Sequence, residues 1–129
     1  MARSRSSTPT DVELQILRVL WELGPSPVRV IHKRMESQKG TTYSTTVKML
    51  GVMLQKELVR RDESVRPHVY RPILTRARAG KRMIGDLIEK VYDGSSMSLV
   101  LQALSKSKAT KEEIDQVRQL LDEMEGNEQ

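Results

Sequence analysis

Leu58-Val59-Arg60-Arg61, then Asp62-Glu63-Ser64-Val65-Arg66-Pro67, then His68-Val69-Tyr70-Arg71: two short β-prone runs around a polar turn read as a hairpin. Pro67 and Pro72 bracket the second run, and a residue without an N–H suits an edge strand. What precedes the hairpin gives it meaning. Thr10-Asp11-Val12-Glu13 has the spacing of a capping box, in which a hydroxyl and a carboxylate satisfy the free N–H groups of a helix start. Leu14, Leu17 and Trp21, with Ile16, Leu20 and Leu23 beside them, give that helix a broad apolar face. Gly24-Pro25 then ends it.

Ser26-Pro27 is read as an immediate restart, with Ser26 as N-cap and Pro27 in the first turn. Val28, Ile31 and Met35 are placed inward, and Arg29, His32, Lys33 and Arg34 outward or sideways. After a turn at residues 38–42, a third helix is expected from about Tyr43 to Lys56, with Val47, Leu50, Met53 and Leu54 as core. Its other face offers Ser44, Thr45, Lys48, Val52 and Gln55. Three short helices followed by a hairpin is the order of a winged helix-turn-helix. In that arrangement the third helix enters the DNA major groove and the hairpin flanks it as a wing.

The remainder reads as helical. Thr75 can cap a helix to Tyr92 carrying Met83, Ile84, Leu87, Ile88 and Val91, stopped by Asp93-Gly94. Ser95 opens a shorter one with Met97, Val100, Leu101 and Leu104. A second capping box at Thr110-Lys111-Glu112-Glu113 leads into Ile114, Val117, Leu120, Leu121 and Met124. These faces have too few partners to bury them, so pairing with a second copy is expected. Folding back on the winged helix is the alternative. The expected fold is thus mainly α with a small β-hairpin wing. A disordered arm covers 1–9, a winged helix-turn-helix 10–74 and a helical dimerisation region 75–129.

Charge follows the same division. Residues 1–74 hold 13 Lys/Arg against 7 Asp/Glu, and residues 75–129 hold 9 against 10. A basic first part suits a polyanion, although a merely soluble basic surface gives the same count. With 3% aromatics and no Phe, the stacking faces of single-strand binders and RNA-recognition sheets are missing, whereas duplex DNA needs none. No Cys is present, which excludes disulfides, thiolate metal sites and Cys nucleophiles. His32 and His68 lack metal-ligand spacing, no Gly-rich phosphate loop occurs, and no cofactor or enzymatic activity is expected. Apolar runs are too short to span a membrane or form a signal peptide, and a cytoplasmic location is the expectation.

In order along the chain stand Thr10-x-x-Glu13, Leu17-Arg18-Val19-Leu20-Trp21-Glu22-x-Gly24-Pro25 and Val28-Arg29-x-Ile31-His32. Tyr43-Ser44-Thr45-Thr46-Val47-x-Met49-Leu50, Lys56-x-Leu58-Val59, His68-Val69-Tyr70-Arg71-Pro72 and the stretch from Asp93-Gly94-Ser95 to Leu104 follow. Together they resemble the penicillinase-repressor family, of the BlaI/MecI type, over about residues 10–124. The resemblance implies a homodimer that holds a palindromic operator in double-stranded DNA and blocks transcription. It also implies release when a membrane sensor-protease system leads to cleavage near Leu99–Leu104. Gln102-Ala103 stands where the best-known members carry Asn-Phe, which sets this chain apart at the cleavage point. Gly51-Val52 likewise replaces a long polar residue and an Arg found in many relatives.

The DNA-facing set expected from these readings has three parts. Ser44, Thr45 and Lys48 lie in the first turns of the third helix, Lys48 being the candidate for guanine acceptors and Val52 for a thymine methyl. Arg29 and Lys33, with Arg60, Arg61 and Arg66 on the wing, are phosphate candidates. Tyr43 either bonds a phosphate or packs at the helix start. The dimerisation set is Ile84, Leu87, Ile88, Val91, Leu101, Leu104, Ile114, Val117, Leu120, Leu121 and Met124. Arg3 and Arg5 could reach a minor groove, a free tail being the plainer reading. A winged-helix protein-interaction scaffold is the alternative to DNA binding.

Overall fold

The computed structural model describes residues 8–127, the side chains of 38 and 39 aside. Residues 1–7 of the expected arm, with Arg3 and Arg5, lie outside the described residues. Thr8 and Pro9 are held: Pro9 is buried, and the Thr8 hydroxyl bonds the Asp86 carboxylate at 2.6 Å. The described elements are α1 (Asp11–Leu23), α2 (Val28–Lys39), α3 (Tyr43–Gln55), β1 (Val59–Asp62), β2 (Val69–Pro72), α4 (Arg76–Val91), α5 (Ser96–Ser105) and α6 (Lys111–Asn127). This is the mainly helical winged-helix architecture with a small hairpin that the sequence predicts. Two compact units divide at Asp86/Leu87, within α4 rather than before it.

In the first unit, Ile16, Leu17 and Leu20 of α1 meet Ile31 and Met35 of α2 and Leu50 and Met53 of α3, closed by Val59, Tyr70 and Leu74. The capping box at Thr10 forms, and it does more than start a helix. Glu13 is 1% exposed; its Oε1 accepts from Thr10 N at 2.9 Å, and its Oε2 accepts from Lys56 Nζ at 2.8 Å. One buried carboxylate therefore ties the start of α1 to the residue that ends α3. Trp21, expected in the core, is half-buried. Its Nε1 donates to the Leu74 carbonyl at 3.0 Å, and the Arg76 guanidinium lies 5.4 Å from its ring centre.

Three local expectations need correction. Ser26 is not the N-cap of α2: Pro27 is, and Ser26 instead pairs with Tyr70, giving and receiving one backbone hydrogen bond (3.0 and 2.8 Å). An N-cap carbonyl accepts the first bond of its helix; that of Ser26 is taken by Tyr70 N, and Ile31 N donates to the Pro27 carbonyl instead, at 3.2 Å. The Ser26 hydroxyl goes back to the Gly24 carbonyl at 2.8 Å. Val47 is not core but 44% exposed, and Thr46 takes the inward position with Leu50 and Met53. Thr46 fits there because its hydroxyl is satisfied: it donates to the Thr42 carbonyl at 3.3 Å and lies 3.1 Å from His32 Nδ1. Leu23, assigned to the apolar face of α1, is exposed.

The second unit contains the end of α4 with α5 and α6. Thr110 and Glu113 form the expected reciprocal cap, and Ser95 caps α5. No residue of α5 or α6 is buried, although both helices are amphipathic.

The Glu13–Lys56 pair gives an ordering of stabilities. Lys56→Met leaves a carboxylate buried without its cation and should cost about 2–3 kcal/mol. Glu13→Gln keeps an acceptor for the cap and frees a lysine that water can reach, and should cost about 1 kcal/mol. Urea unfolding of the two variants checks this; the reverse order contradicts the role given to Glu13.

Candidate nucleic-acid interface

The outward face of α3 follows from helix geometry at 100° per residue. With Leu50 and Thr46 inward, Ser44, Lys48, Gly51 and Gln55 point directly away, flanked by Thr45 and Val52 on one side and Val47 on the other. All are exposed. The helix start is fixed by Thr42, a cap that the sequence reading passed over as part of a turn. Thr42 Oγ1 accepts from Thr45 N at 3.2 Å and donates to Thr45 Oγ1 at 2.8 Å. The Thr-x-x-Thr spacing was a legible signal for it. Behind this turn the Tyr43 ring meets His32 edge-on, with centroids 5.3 Å apart.

Gly51 stands at the centre of this face. A Cβ built there meets nothing within 4 Å, so internal packing does not demand glycine. Glycine in a helix interior nonetheless costs roughly 1 kcal/mol against alanine.

Beside α3 lies a groove of about 590 Å³ that brings together Arg29 of α2, Tyr43 of α3, and Arg66 and His68 of the wing. Three residues predicted separately thus share one concave surface, and His68 joins them unpredicted. The start of α2 is at the same groove, through Pro27 and Val28, and no side chain caps it. Uncapped N–H groups, two guanidinium-bearing residues and a phenol are a set of donors suited to a phosphate. The Ser26–Tyr70 bridge is what places the wing against that helix start.

Arg60 and Arg61 fall elsewhere. β1 and β2 pair antiparallel with Arg61 opposite Tyr70 and Arg60 opposite Arg71. Arg61 bonds Glu63 at 2.8 Å, and the Tyr70 hydroxyl, then Glu63, hold its guanidinium more firmly charged than usual. Arg60 faces solvent beside Arg71. Neither lines the groove around Arg29. Lys33 is exposed on α2.

The penicillinase repressor family matches residues 9–123 of the chain. The chain belongs to that family. It is 23% identical over 114 residues to the penicillinase repressor of Bacillus licheniformis, covering 88% of this chain and 89% of that one. It is 25% identical over 116 residues to the transcriptional regulator BlaI of Mycobacterium tuberculosis, covering 89% and 83%. The family's role is transcriptional repression, not catalysis. Among the described residues there is no cluster of three or more metal-ligating side chains, and no described helix is long and apolar enough to cross a membrane.

Within this family member the predicted dimerisation residues are Ile84, Leu87, Val91, Leu101, Leu104, Ile114, Leu120, Leu121 and Met124, all 41–63% exposed, with Ile88 and Val117 half-buried. Leu104, Ile114, Val117 and Leu120 line one apolar cleft of about 770 Å³ between α5 and α6. Gln102 and Ala103 are exposed inside α5.

The wing turn is set by Asp62, whose Oδ1 accepts from the Ser64 hydroxyl at 2.6 Å and from Ser64 N at 2.9 Å. These bonds, with a smaller contribution from Arg71, hold its carboxyl below the ordinary 3.8. A lowered folded value means that its support for the turn is complete above that ordinary value and is lost as pH falls through the lowered one. Ser64→Ala should move the Asp62 midpoint upward in a carboxyl-detected NMR titration. An unmoved midpoint contradicts the assignment.

Proposed function

We propose that the protein is a cytoplasmic, homodimeric repressor that grips a dyad-symmetric operator in duplex DNA, with α3 in the major groove and the wing on the flanking backbone. The observation that carries this reading is the outward face of α3. Lys48 and two hydroxyls stand in its first turns around a bare glycine, next to a groove where Arg29 and Arg66 converge on an uncapped helix start. Gly51 acquires a reason here: it lets the helix backbone approach a groove wall closely, at a cost that nothing inside the protein requires. On this reading Lys48 donates to base-edge acceptors. Ser44 and Thr45 bond base or backbone, and Val52 touches a methyl group. Arg29, Tyr43 and Arg66 hold phosphate, with Lys33, Arg60 and Arg61 adding long-range attraction.

The apolar faces of α5 and α6 support the homodimer, since they fit the half-buried state of a helix pair whose partner is a second copy. Two linked reading heads then gain operator affinity through effective concentration. For release, the reading includes a membrane sensor-protease system that leads to cleavage around Gln102-Ala103. Because a protease takes extended chain, α5 must unwind there first.

Fluorescence anisotropy with duplexes from upstream of its own and neighbouring genes tests the function. The wild-type chain should bind one dyad-symmetric fragment with affinity falling steeply as salt rises. Lys48→Ala should lose about 1–3 kcal/mol on that fragment and much less on random duplex. Leu120→Asp should sediment as a monomer and bind poorly. Failure to bind any such fragment at low salt favours a protein-interaction scaffold instead. Equal affinity of wild type and Lys48→Ala removes Lys48 from the reading face.

A further inference from the structure

The first unit carries a second cleft, of about 660 Å³, between the end of α3, β1, the Ile73-Leu74 segment and the first turns of α4. It shares no residue with the groove around Arg29. Its volume is within the usual range of small-molecule sites, about 300–1,000 Å³. Five cations line it: Lys56, Arg60, Arg61, Arg78 and Arg82. Against them stand two carboxylates, Glu57 and Glu63.

These cations are not equivalent. Lys56 is engaged by Glu13 and Arg61 by Glu63. Among the described residues, the side chains of Arg60 and Arg78 have no hydrogen bond or ion pair. Arg60 stands opposite Arg71 across the hairpin, and Arg71 is paired with Asp62 at 3.5 Å, so of these two guanidinium groups Arg60 is the one left without a counter-ion among the described residues.

The rest of the lining is aliphatic. Leu58, Val59 and Leu74 form its buried wall, Leu54 is half-buried, and Ile73 is exposed. A phosphodiester backbone has no use for such a wall, and Glu57 and Glu63 work against a polyanion while leaving room for a ligand of one or two charges. An organic anion with an apolar body uses both halves of the site.

We propose that this cleft binds a small amphipathic anion, an organic carboxylate or phosphate. Its charge sits at Arg60 and Arg78 and its apolar part against Leu54 and Ile73. Such a ligand touches α3, the wing and α4 at once. The inference does not rest on the DNA-binding reading, because the cleft and its ligand are assayed without DNA.

Phenyl phosphate, a ring bearing a dianion, is the probe. Titrated into the full-length ¹⁵N-labelled protein, it should shift the amides of Glu57, Arg60, Ile73 and Arg78 saturably. Inorganic phosphate and benzyl alcohol, each carrying half of the chemistry, should bind the same amides at least about five-fold more weakly. Arg60→Gln combined with Arg78→Gln should weaken phenyl phosphate by about five-fold or more, with the remaining spectrum unchanged. Three results overturn the proposal: shifts without saturation, shifts centred on Arg29, Tyr43 and Arg66, or undiminished binding by the double variant. A random duplex that shifts the cleft amides and displaces phenyl phosphate also overturns it, by making the cleft a DNA surface.

Discussion

Two backbone hydrogen bonds between Ser26 and Tyr70 hold the candidate interface together. They add Ser26, just ahead of the Pro27 cap of α2, to the edge of the wing. The wing's second strand therefore cannot move without moving the start of α2. Tyr70 is buried under that strand, with Arg66 and His68 just before it, and Arg29 lies in the first turn of the helix that the bridge precedes. A groove made from three elements distant in sequence would otherwise depend on side-chain packing alone. At the other end of α3, the Glu13–Lys56 pair performs the equivalent task, anchoring the last turn of that helix to the first turn of α1. The first tie positions the groove beside α3, and the second fixes the last turn of α3, the helix that carries the proposed reading face.

That face is sparsely charged for one proposed to meet DNA, with Lys48 as its cation and a glycine at its centre. The positive charge of the first unit is spread instead over the groove around Arg29 and Arg66 and over a second cleft around Arg60 and Arg78. On the proposed reading, backbone attraction comes chiefly from the groove around Arg29 and Arg66 and base reading from short side chains on α3, so the two tasks fall to different elements. On the same reading, short side chains and a glycine let the helix axis come nearer to a groove wall, where hydroxyl and methyl contacts act over their full strength.

Much of the fold was legible because local rules and global packing agree. Both capping boxes, the Gly24-Pro25 stop, the hairpin and the α3 core residues Leu50 and Met53 carry their structural reasons in adjacent residues. Ser26 was misread because Ser-Pro before an apolar run is a sound local signal for a cap, and only Tyr70, far along the chain, overrides it. Val47 and Thr46 exchanged places because hydrophobicity favours the valine, whereas His32 and the Thr42 carbonyl make the threonine the better-satisfied buried residue. In the candidate site, sequence spacing located the outward face of α3 and the cations. It could not sort them. Arg60, Arg61 and Arg66 look alike in a hairpin sequence, but Arg60 and Arg61, on β1, line one cleft, whereas Arg66, in the turn between the strands, lines the other groove.

The second unit presents leucine, isoleucine, valine and methionine side chains that its own helices leave exposed, and on the proposed reading a second copy covers them and sets the spacing of two α3 helices. Dimethyl-sulfate interference on the bound promoter fragment addresses major-groove recognition and dimer symmetry in one experiment, since the reagent marks guanine N7 in the major groove. Two symmetric clusters of interfering guanines, with centres about 10 base pairs or a multiple apart, are the predicted result. A single cluster, or binding indifferent to N7 methylation throughout, would contradict it.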